Sequence, residues 1–521
     1  MHSMWDALPD ERTSFIGRRD ELAALKSAAS SHRLITVIGA PGVGKSRLVI
    51  HHLRAARRPP GFRLTYVNGS ASSGPRPTSA TESELLVVDD ADDIDDIPAW
   101  VDETLTANAD LRIIVTRQRR LAVAGEVLLP LGPLPFTRRG SDLALPALAR
   151  DPAVRLLLER ASASAPGFAL SEGNARDVWE LCALTDGVPG AIEAVATALR
   201  AHSPARVRDV YEAAGQGRAV PLSEGGVSRA VARAFARCTP DARALWCAAA
   251  TLRGSFGLDL VAATGGFADT LKILDLVTEL VDDCILEVVR FDDDVRYRML
   301  SPLRTRGMRA VASDGSLPLL RARTLAKLVD VAAEAGRELF SENQARWFDR
   351  IGRDQETILD AIRSHLEQDD ADPEPVMLIL SDLRMFWIAQ SEVTTALHLL
   401  ARVLEGSAGH PHTRRRALWT QAYLAVFAGQ SALARQSVAD CRRADTSQRD
   451  LDFLDALIAL DMGAHDEAWD AIRKALDAAL LFEPGRVAPV VGEVFYYAAL
   501  IALVRADYEC FRAGAPCRWP R

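Results

Sequence analysis

Leu34-Ile35-Thr36-Val37-Ile38-Gly39-Ala40-Pro41-Gly42-Val43-Gly44-Lys45-Ser46 is an apolar five-residue run followed by a glycine-rich turn. Gly39 to Ser46 satisfies GxxxxGK[ST] directly after a strand signal and directly before a helical pattern, which is the context this motif requires. Its glycines let backbone N–H groups close around phosphate oxygens, and the following helix turns its positive end toward them. Lys45 is expected to reach the terminal phosphates of ATP or ADP and the Ser46 hydroxyl to ligate Mg2+. Gly39, Ala40, Pro41, Gly42, Val43, Gly44, Lys45, Ser46 and the adjoining Arg47 are therefore read as nucleotide-binding residues.

From Leu34 to Pro130 short apolar runs alternate with helical or polar stretches, which predicts an α/β domain with a parallel sheet. The expected strands are Leu34 to Ile38, Phe62 to Val67, Leu85 to Asp89, Leu111 to Thr116 and Glu126 to Pro130. Asn68 to Ser83 is rich in Gly, Ser, Pro and Thr, a loop composition where a crossover helix would be expected, and predicts an exposed, mobile loop. The run Leu85-Leu86-Val87-Val88 ends in Asp89 and Asp90, placing two carboxylates beside the glycine-rich turn. Asp89 is the second expected Mg2+ residue, acting through water, and Asp90 could orient or deprotonate an attacking water. Asp92, Asp93, Asp95 and Asp96 lack the loop glycine and distal glutamate of a calcium loop, so they read as a solvated acidic helix start. Arg117 at the end of the fourth strand could sense a γ-phosphate. With Lys45 and Asp90 it completes the expected catalytic set. His51 and His52 have no second ligand pair and read as structural.

Beyond Pro130 the strand signal stops. Asp151 to Ala161 shows an Asp-Pro start and helical spacing, predicting a small helical domain. From Ser228 to Ala310, two or three helices precede strand-like runs at Ile285 to Arg290 and Val295 to Leu300, which suggests a winged helix. Past Leu317 the pattern is helical and rich in Ala and Leu. Gly429 with Ala434 and Gly463 with Ala468 repeat at a period of 34, as in tetratricopeptide repeats. Tyr508 to Arg521 breaks the pattern and predicts an irregular tail, with repeats missing beyond it.

The 521 residues are 48% hydrophobic and 25% charged, with 62 basic against 70 acidic side chains. A net charge of −8 supplies no field for holding a polyanion non-specifically. The seven cysteines are scattered without metal or disulfide spacing, which fits a reducing cytoplasm. No apolar run is long enough to span a bilayer, so no membrane partner is expected.

These residues, taken in order, resemble the signal-transduction NTPases with numerous domains (STAND), whose nucleotide module is NB-ARC-like. The closest resemblance is to large bacterial regulators of the AfsR and LuxR type. The stretches that carry it are Phe15-Ile16-Gly17-Arg18-Arg19-Asp20-Glu21-Leu22, the P-loop, Leu86-Val87-Val88-Asp89-Asp90, Ile113 to Arg117 and Asp186-Gly187-Val188-Pro189-Gly190. Tyr297-Arg298-Met299-Leu300, Arg346-Trp347-Phe348 and Phe386-Trp387 extend it over almost the whole chain. The resemblance implies that Ile16, Gly17 and Arg18 lie against the base and that Pro189 packs near adenine. It also implies a closed ADP form and an open ATP form. The chain departs from the pattern at Gly190, where leucine is usual, and at Leu300-Ser301, where related NTPases often carry His-Asp. Ungapped alignment also allows Gln118 in place of Arg117 as the sensor.

The expected organisation is a P-loop NTPase domain over 1–140, a helical domain over 141–225, a winged helix over 226–312 and tetratricopeptide-like repeats over 313–521, truncated in this reading. The expected function is an ATP/ADP-binding conformational switch in transcriptional regulation, at most a slow Mg2+-dependent ATPase. Its repeats would meet a protein or small-molecule inducer, and nucleotide-dependent oligomers are compatible with it. Asp292, Asp293 and Asp294 at the wing would repel phosphate, so DNA is expected only indirectly or through a missing domain. The alternatives are an AAA+-like remodelling ATPase and a nucleotide-bound scaffold without turnover.

Overall fold

The structure, a computed structural model, describes residues 8–56, 63–69, 84–137, 144–165, 167–216, 226–292, 294–338, 341–368, 370–405, 410–444, 448–479 and 491–512. The chain divides into two compact units, Met1–Leu320 and Arg321–Arg521.

The first unit opens with α1 (Arg19–Ser31), β1 (Leu34–Ile38), α2 (Lys45–Ala55), β2 (Leu64–Asn68), β3 (Leu85–Asp89), a 3-10 turn (Ala91–Asp93), α3 (Ile97–Ala107), β4 (Arg112–Arg117) and β5 (Glu126–Pro130). The five strands form one parallel sheet in the order β2-β3-β4-β1-β5. Central strands buried on both faces need continuous apolar runs. Accordingly β1, β3 and β4 are nearly all buried, whereas edge strand β5 is partly exposed along its length. Leu86, Val88, Ile113 and Val115 pack with Ile97, Trp100 and Val101 of α3 into one core. Burying each such side chain contributes about 1.5–3 kcal/mol. The strands lie where the sequence predicts them, with small changes at two: the second runs Leu64–Asn68 and the fourth Arg112–Arg117. Most of the loop expected at Asn68 to Ser83, residues 70–83, lies outside the described residues.

Next come α4 (Leu145–Leu148), α5 (Pro152–Ser164), α6 (Ala175–Leu184), α7 (Pro189–Ala198) and α8 (Pro204–Gly215). Asp151 begins α5 as predicted, although its carboxylate accepts from the Thr137 amide at 3.0 Å rather than from its own helix. The unit continues with α9 (Gly226–Arg237), α10 (Pro240–Ala250), β6 (Ser255–Phe256), α11 (Leu258–Gly265), α12 (Thr270–Asp282), β7 (Glu287–Arg290), β8 (Val295–Arg298) and α13 (Ser301–Asp314). Four helices, not two or three, therefore precede the hairpin, and a third strand joins it in an antiparallel sheet of order β6-β8-β7. The hairpin is also shorter than its apolar runs suggest. Ile285 and Leu286, and Met299 and Leu300, are buried just outside it.

From α14 (Leu317–Arg337) onward the described chain is helical: α15 (Gln344–Leu366), α16 (Glu374–Asp382), α17 (Arg384–Ala389), α18 (Val393–Glu405), α19 (Pro411–Phe427), α20 (Ser431–Arg443), α21 (Gln448–Asp461), α22 (His465–Ala479) and α23 (Val491–Arg512). No helix among the described residues is long and apolar enough to cross a membrane. Tyr508–Arg512, expected in an irregular tail, belong to α23, because that helix continues through polar residues that weaken its sequence signal.

Gly429 and Gly463 take φ of +66° and +74°, and each closes a helix end. There Gln430 N–H bonds to Ala425 O and Ala464 N–H to Ala459 O, both at 2.8 Å, the six-residue closure of a left-handed C-cap. Five residues after each glycine, Ala434 and Ala468 are fully buried. Among the described residues of the second unit the same closure occurs once more, at Ser391 with φ +60°, where Glu392 N–H bonds to Trp387 O at 2.8 Å and Ala396 is fully buried. A serine in that conformation carries a strain that glycine does not. Ser391→Gly should therefore stabilise the protein by about 0.5–1 kcal/mol, and Gly429→Ala should destabilise it by about 1 kcal/mol, in urea denaturation. Equal and opposite signs at these two positions are what equivalent turns require.

Candidate functional site

The turn between β1 and α2 lies at the carboxyl edge of the parallel sheet, where open α/β sheets bind ligands. Lys45, the first residue of α2, folds back so that Nζ donates to the Gly39 carbonyl at 2.7 Å and the Ala40 carbonyl at 3.2 Å. Burial pushes its pKa below the ordinary lysine value, opposed by the nearby Asp92, Asp90 and Asp89. The ammonium is thus poorly solvated and held by neutral acceptors, the state in which a phosphate would bind it most favourably. The Ser46 hydroxyl, one residue on, has no hydrogen-bond partner among the described residues.

Asp89 at the end of β3 is buried. It accepts from the Thr116 hydroxyl at 2.5 Å and from the Tyr66 phenol at 2.6 Å. Burial and Asp89 itself push the Tyr66 phenol well above the usual tyrosine range, so it remains a donor. The Thr116 oxygen also accepts the Asp90 amide at 2.9 Å, which ties the tip of β3 to β4. Asp90 has φ +54°. Its pKa is raised by burial and by Asp92, while Arg233 of α9, 3.4 Å from its carboxylate, pulls it down.

Arg117 pairs in register with Ile38, bringing it beside the strand that feeds the turn. Its side chain is buried, and its Nε and Nη1 meet no acceptor among the described residues. Burial lowers its pKa, with Asp92 acting against that. Gln118, the alternative sensor, has its backbone engaged: its amide donates to Asp92 at 2.8 Å and its carbonyl accepts from the Cys284 thiol at 3.0 Å.

The acidic run after Asp90 is in large part the solvated helix start that its sequence suggests, with Asp93, Asp95 and Asp96 exposed and Asp96 directly before α3, but two of its acids are also engaged at the site. Asp92 turns toward the Gln118 amide, and Asp93 pairs with Arg233 at 3.2 Å and Arg237 at 2.8 Å. For Asp93 the cause is α9, whose two arginines a local reading of residues 89–96 has no means to place. Arg119 extends the cross-links by forking onto Asp283, just after α12.

Ile16, Arg18, Val43, Gly44, Arg47 and Pro189 line one cavity of about 350 Å³, joined by apolar walls from Leu134 and Leu156. Arg18 is more than a base contact. Its guanidinium donates to Val43 O at 3.1 Å and Gly132 O at 2.7 Å, pinning the turn to the segment after β5. Arg47 likewise donates to the Thr13 and Ser14 carbonyls. Gly17, φ +59°, turns the chain between Ile16 and Arg18 rather than lining the cavity. His51 stacks on Phe15 and meets Glu11 at 3.1 Å.

Gly190 N–H bonds to Gly42 O at 3.0 Å. A Cβ on Gly190 would stand 2.3 Å from Val227 of α9, so the leucine that the resemblance leads one to expect at this position has no room here. At the other departure, the Ser301 amide at the start of α13 donates to Asp186 at 2.8 Å. Tyr66, Arg233 and Arg237 are the site residues that the sequence reading did not name, while Asp92 was read only as part of a charge run, and Thr116 and Asp186 only as members of quoted stretches.

Sheet, turn and acidic strand tip together define a P-loop NTPase. Within that class the chain is similar to the STAND signal-transduction NTPases and to bacterial transcriptional regulators. It is 25% identical over 457 residues to the Mycobacterium tuberculosis protein named "Putative HTH-type transcriptional regulator Rv0890c", covering 80% of this chain and 49% of that one. A second M. tuberculosis protein, named as uncharacterized, is 26% identical over 346 residues, covering 60% of this chain and 84% of its own length. The chain thus spans about half the length of the regulator it matches. No protein-family model matches it. Among solved structures, a Walker-type ATPase of Pyrococcus abyssi gives a TM-score of 0.39 at 15% identity, covering 57% of this chain and 97% of that one. A STAND protein with a tetratricopeptide repeat sensor from Pyrococcus horikoshii gives 0.32 at 12%, covering 96% and 75%.

Thr116→Val removes both the donor to Asp89 and the acceptor of the Asp90 amide while keeping the shape. It should cost about 1–3 kcal/mol in chemical denaturation, more than an exposed Thr→Val change at Thr197, because two buried polar groups lose their partner.

Proposed function

We propose that this chain is a nucleotide-dependent signalling switch in bacterial transcriptional control, in which ATP and ADP with Mg2+ select different placements of α9 over the P-loop. The observation that carries the reading is the Arg233–Asp90 contact of 3.4 Å. A carboxylate that would flank a γ-phosphate is held by a helix from outside the sheet, and Val227 of the same helix seats against Gly42. Anything that changes charge at the strand tip therefore alters what α9 gains by staying. Differential contact of this kind is what a ligand needs to shift an equilibrium.

In this reading Lys45 exchanges the Gly39 and Ala40 carbonyls for phosphate oxygens. Ser46 and Asp89 offer the hydroxyl and carboxylate oxygens that suit a hard cation, and they would hold Mg2+, which supplies charge neutralisation when bound. Asp90 orients or deprotonates water, and the unpartnered N–H groups of Arg117 read the γ-phosphate. Ile16, Leu134, Leu156 and Pro189 enclose the base. Residues 1–140, 141–225, 226–312 and 313–521 act as NTPase, helical, winged-helix and tetratricopeptide-like parts, the last meeting a protein or small-molecule inducer. Asp292 and Asp294 at the hairpin turn disfavour direct contact with DNA phosphates, so control of transcription passes through a partner or through a part found in the longer relatives.

Purified protein should carry ADP and turn over ATP at well below about one per second. Lys45→Ala should lose the nucleotide, and Arg233→Ala should exchange it faster in a stopped-flow assay with a fluorescent ADP analogue. Nucleotide-free wild type, or turnover stimulated to many cycles per second by DNA or an unfolded protein, would overturn the switch reading.

The pH profile gives a separate check. Asp90 works as the carboxylate, and its pKa lies above the ordinary 3.8. Single-turnover hydrolysis should therefore fall as pH drops through that raised value, and Asp90→Asn should abolish this acid limb. Arg233 lowers the Asp90 pKa, so Arg233→Ala should move the limb to higher pH; a shift to lower pH would contradict the assignment.

A further inference from the structure

The Gly187–Gly190 loop borders two cavities that share no lining residue. Pro189 lines the proposed base cavity, whereas Gly190 lines a larger one, partly open to solvent, walled by α6, α7, α8, α9 and α13. Much of its wall is apolar, including Leu184, Ala191, Ala194, Val227 and Val231. The α13 side is different. Pro302, Thr305, Arg306 and Arg309 follow the i, i+3, i+4, i+7 spacing that puts residues on one helix face, and all of them line the cavity.

Arg306 Nε and Arg309 Nε and Nη2 are buried and meet no acceptor among the described residues. The Arg306 guanidinium lies over the Phe235 ring at 4.3 Å, which fixes its plane without supplying an acceptor. Among the described residues no carboxylate lines the cavity. Two guanidinium groups with buried, unanswered donors beside an apolar chamber form an incomplete arrangement, because such donors are ordinarily paired.

We propose that this cavity binds an amphipathic small-molecule anion. Its carboxylate or phosphate head pairs with Arg306 and Arg309, and an apolar body about the size of a fused bicyclic ring packs against Ala191, Ala194, Val227 and Val231. Most ligand pockets have this composition, an apolar chamber with a few polar groups that fix orientation. The site is a cavity separate from the nucleotide site but shares α9 with it, so the ligand is tested with the nucleotide state held constant, and its binding does not require that the P-loop turn over.

The test is isothermal titration calorimetry on the full chain saturated with ADP and Mg2+, so that the base cavity is filled. The probes are 2-naphthoate, 2-naphthyl phosphate and the neutral 2-naphthamide. At least one anion should bind with 1:1 stoichiometry and 2-naphthamide should bind at least about tenfold more weakly, since a charge-assisted pair is lost. The two anions distinguish a carboxylate from a phosphate ligand. Arg309→Gln and Arg306→Gln should each weaken the anion by about tenfold or more and leave the amide unchanged. Ala194→Phe, which fills the chamber and keeps both arginines, should abolish binding of all three while ADP is retained, and it replaces the arginine variants as the test should those fail to fold. Absence of binding by either anion, equal binding of anion and amide, or anion binding unaffected by these substitutions would overturn the proposal.

Discussion

Gly190 donates its amide to the Gly42 carbonyl at 3.0 Å, and the rest of the first unit is arranged around that approach. The hydrogen bond itself is ordinary in length, but the space a Cβ would take at either glycine is filled by Val227. The contact joins three parts of the chain that are far apart in sequence: the turn after β1, the start of α7 and the start of α9. Each has its own reason to be there. Arg18 holds the turn from behind, Leu134 N–H to Gly187 O at 2.9 Å holds the loop, and the arginines of α9 hold its helix to the acidic strand tip. The turn is therefore a shared surface rather than a feature of the sheet alone.

The strand tip shows how charge is managed in this arrangement. Asp89 accepts from two hydroxyl donors and Asp90 faces a guanidinium brought from α9, while Arg117 has donors that meet no acceptor among the described residues. An excess of unmet donors on one side and strained carboxylates on the other is unfavourable for an isolated protein. It becomes favourable when a polyanion and a cation bind together, which fits a site organised for a phosphate–metal pair.

The sheet was legible in the sequence because its strands are continuous apolar runs bounded by turn residues, and the P-loop because eight residues carry its whole chemistry. Ile16, Arg18 and Pro189 were reachable through resemblance alone, and the structure gives Arg18 a positioning contact that resemblance did not suggest. What escaped was every residue whose meaning depends on a distant partner. Asp93 looks like part of a solvated charge run until Arg233 and Arg237 are brought to it from about 140 residues away in the chain, and Asp92 until the Gln118 amide is. Thr116 looks like a β-branched strand residue until its hydroxyl is seen to serve both Asp89 and Asp90. The turn at Ser391 escaped for another reason. It has the geometry of the two glycine turns, but its residue type and a spacing of 38 rather than 34 hide it from a search for a repeat.

Those three turns also bear on how the second unit comes apart. Each is closed by a bond spanning six residues, and each is followed by an alanine buried against the neighbouring helix. Order is thus specified locally and passed from one helix pair to the next, as in a one-dimensional chain of coupled segments. Such a chain has a correlation length: a disturbance at one pair is felt strongly by its neighbours and fades beyond them. The unit can therefore loosen at one end while the other stays formed, giving it graded rather than all-or-none melting.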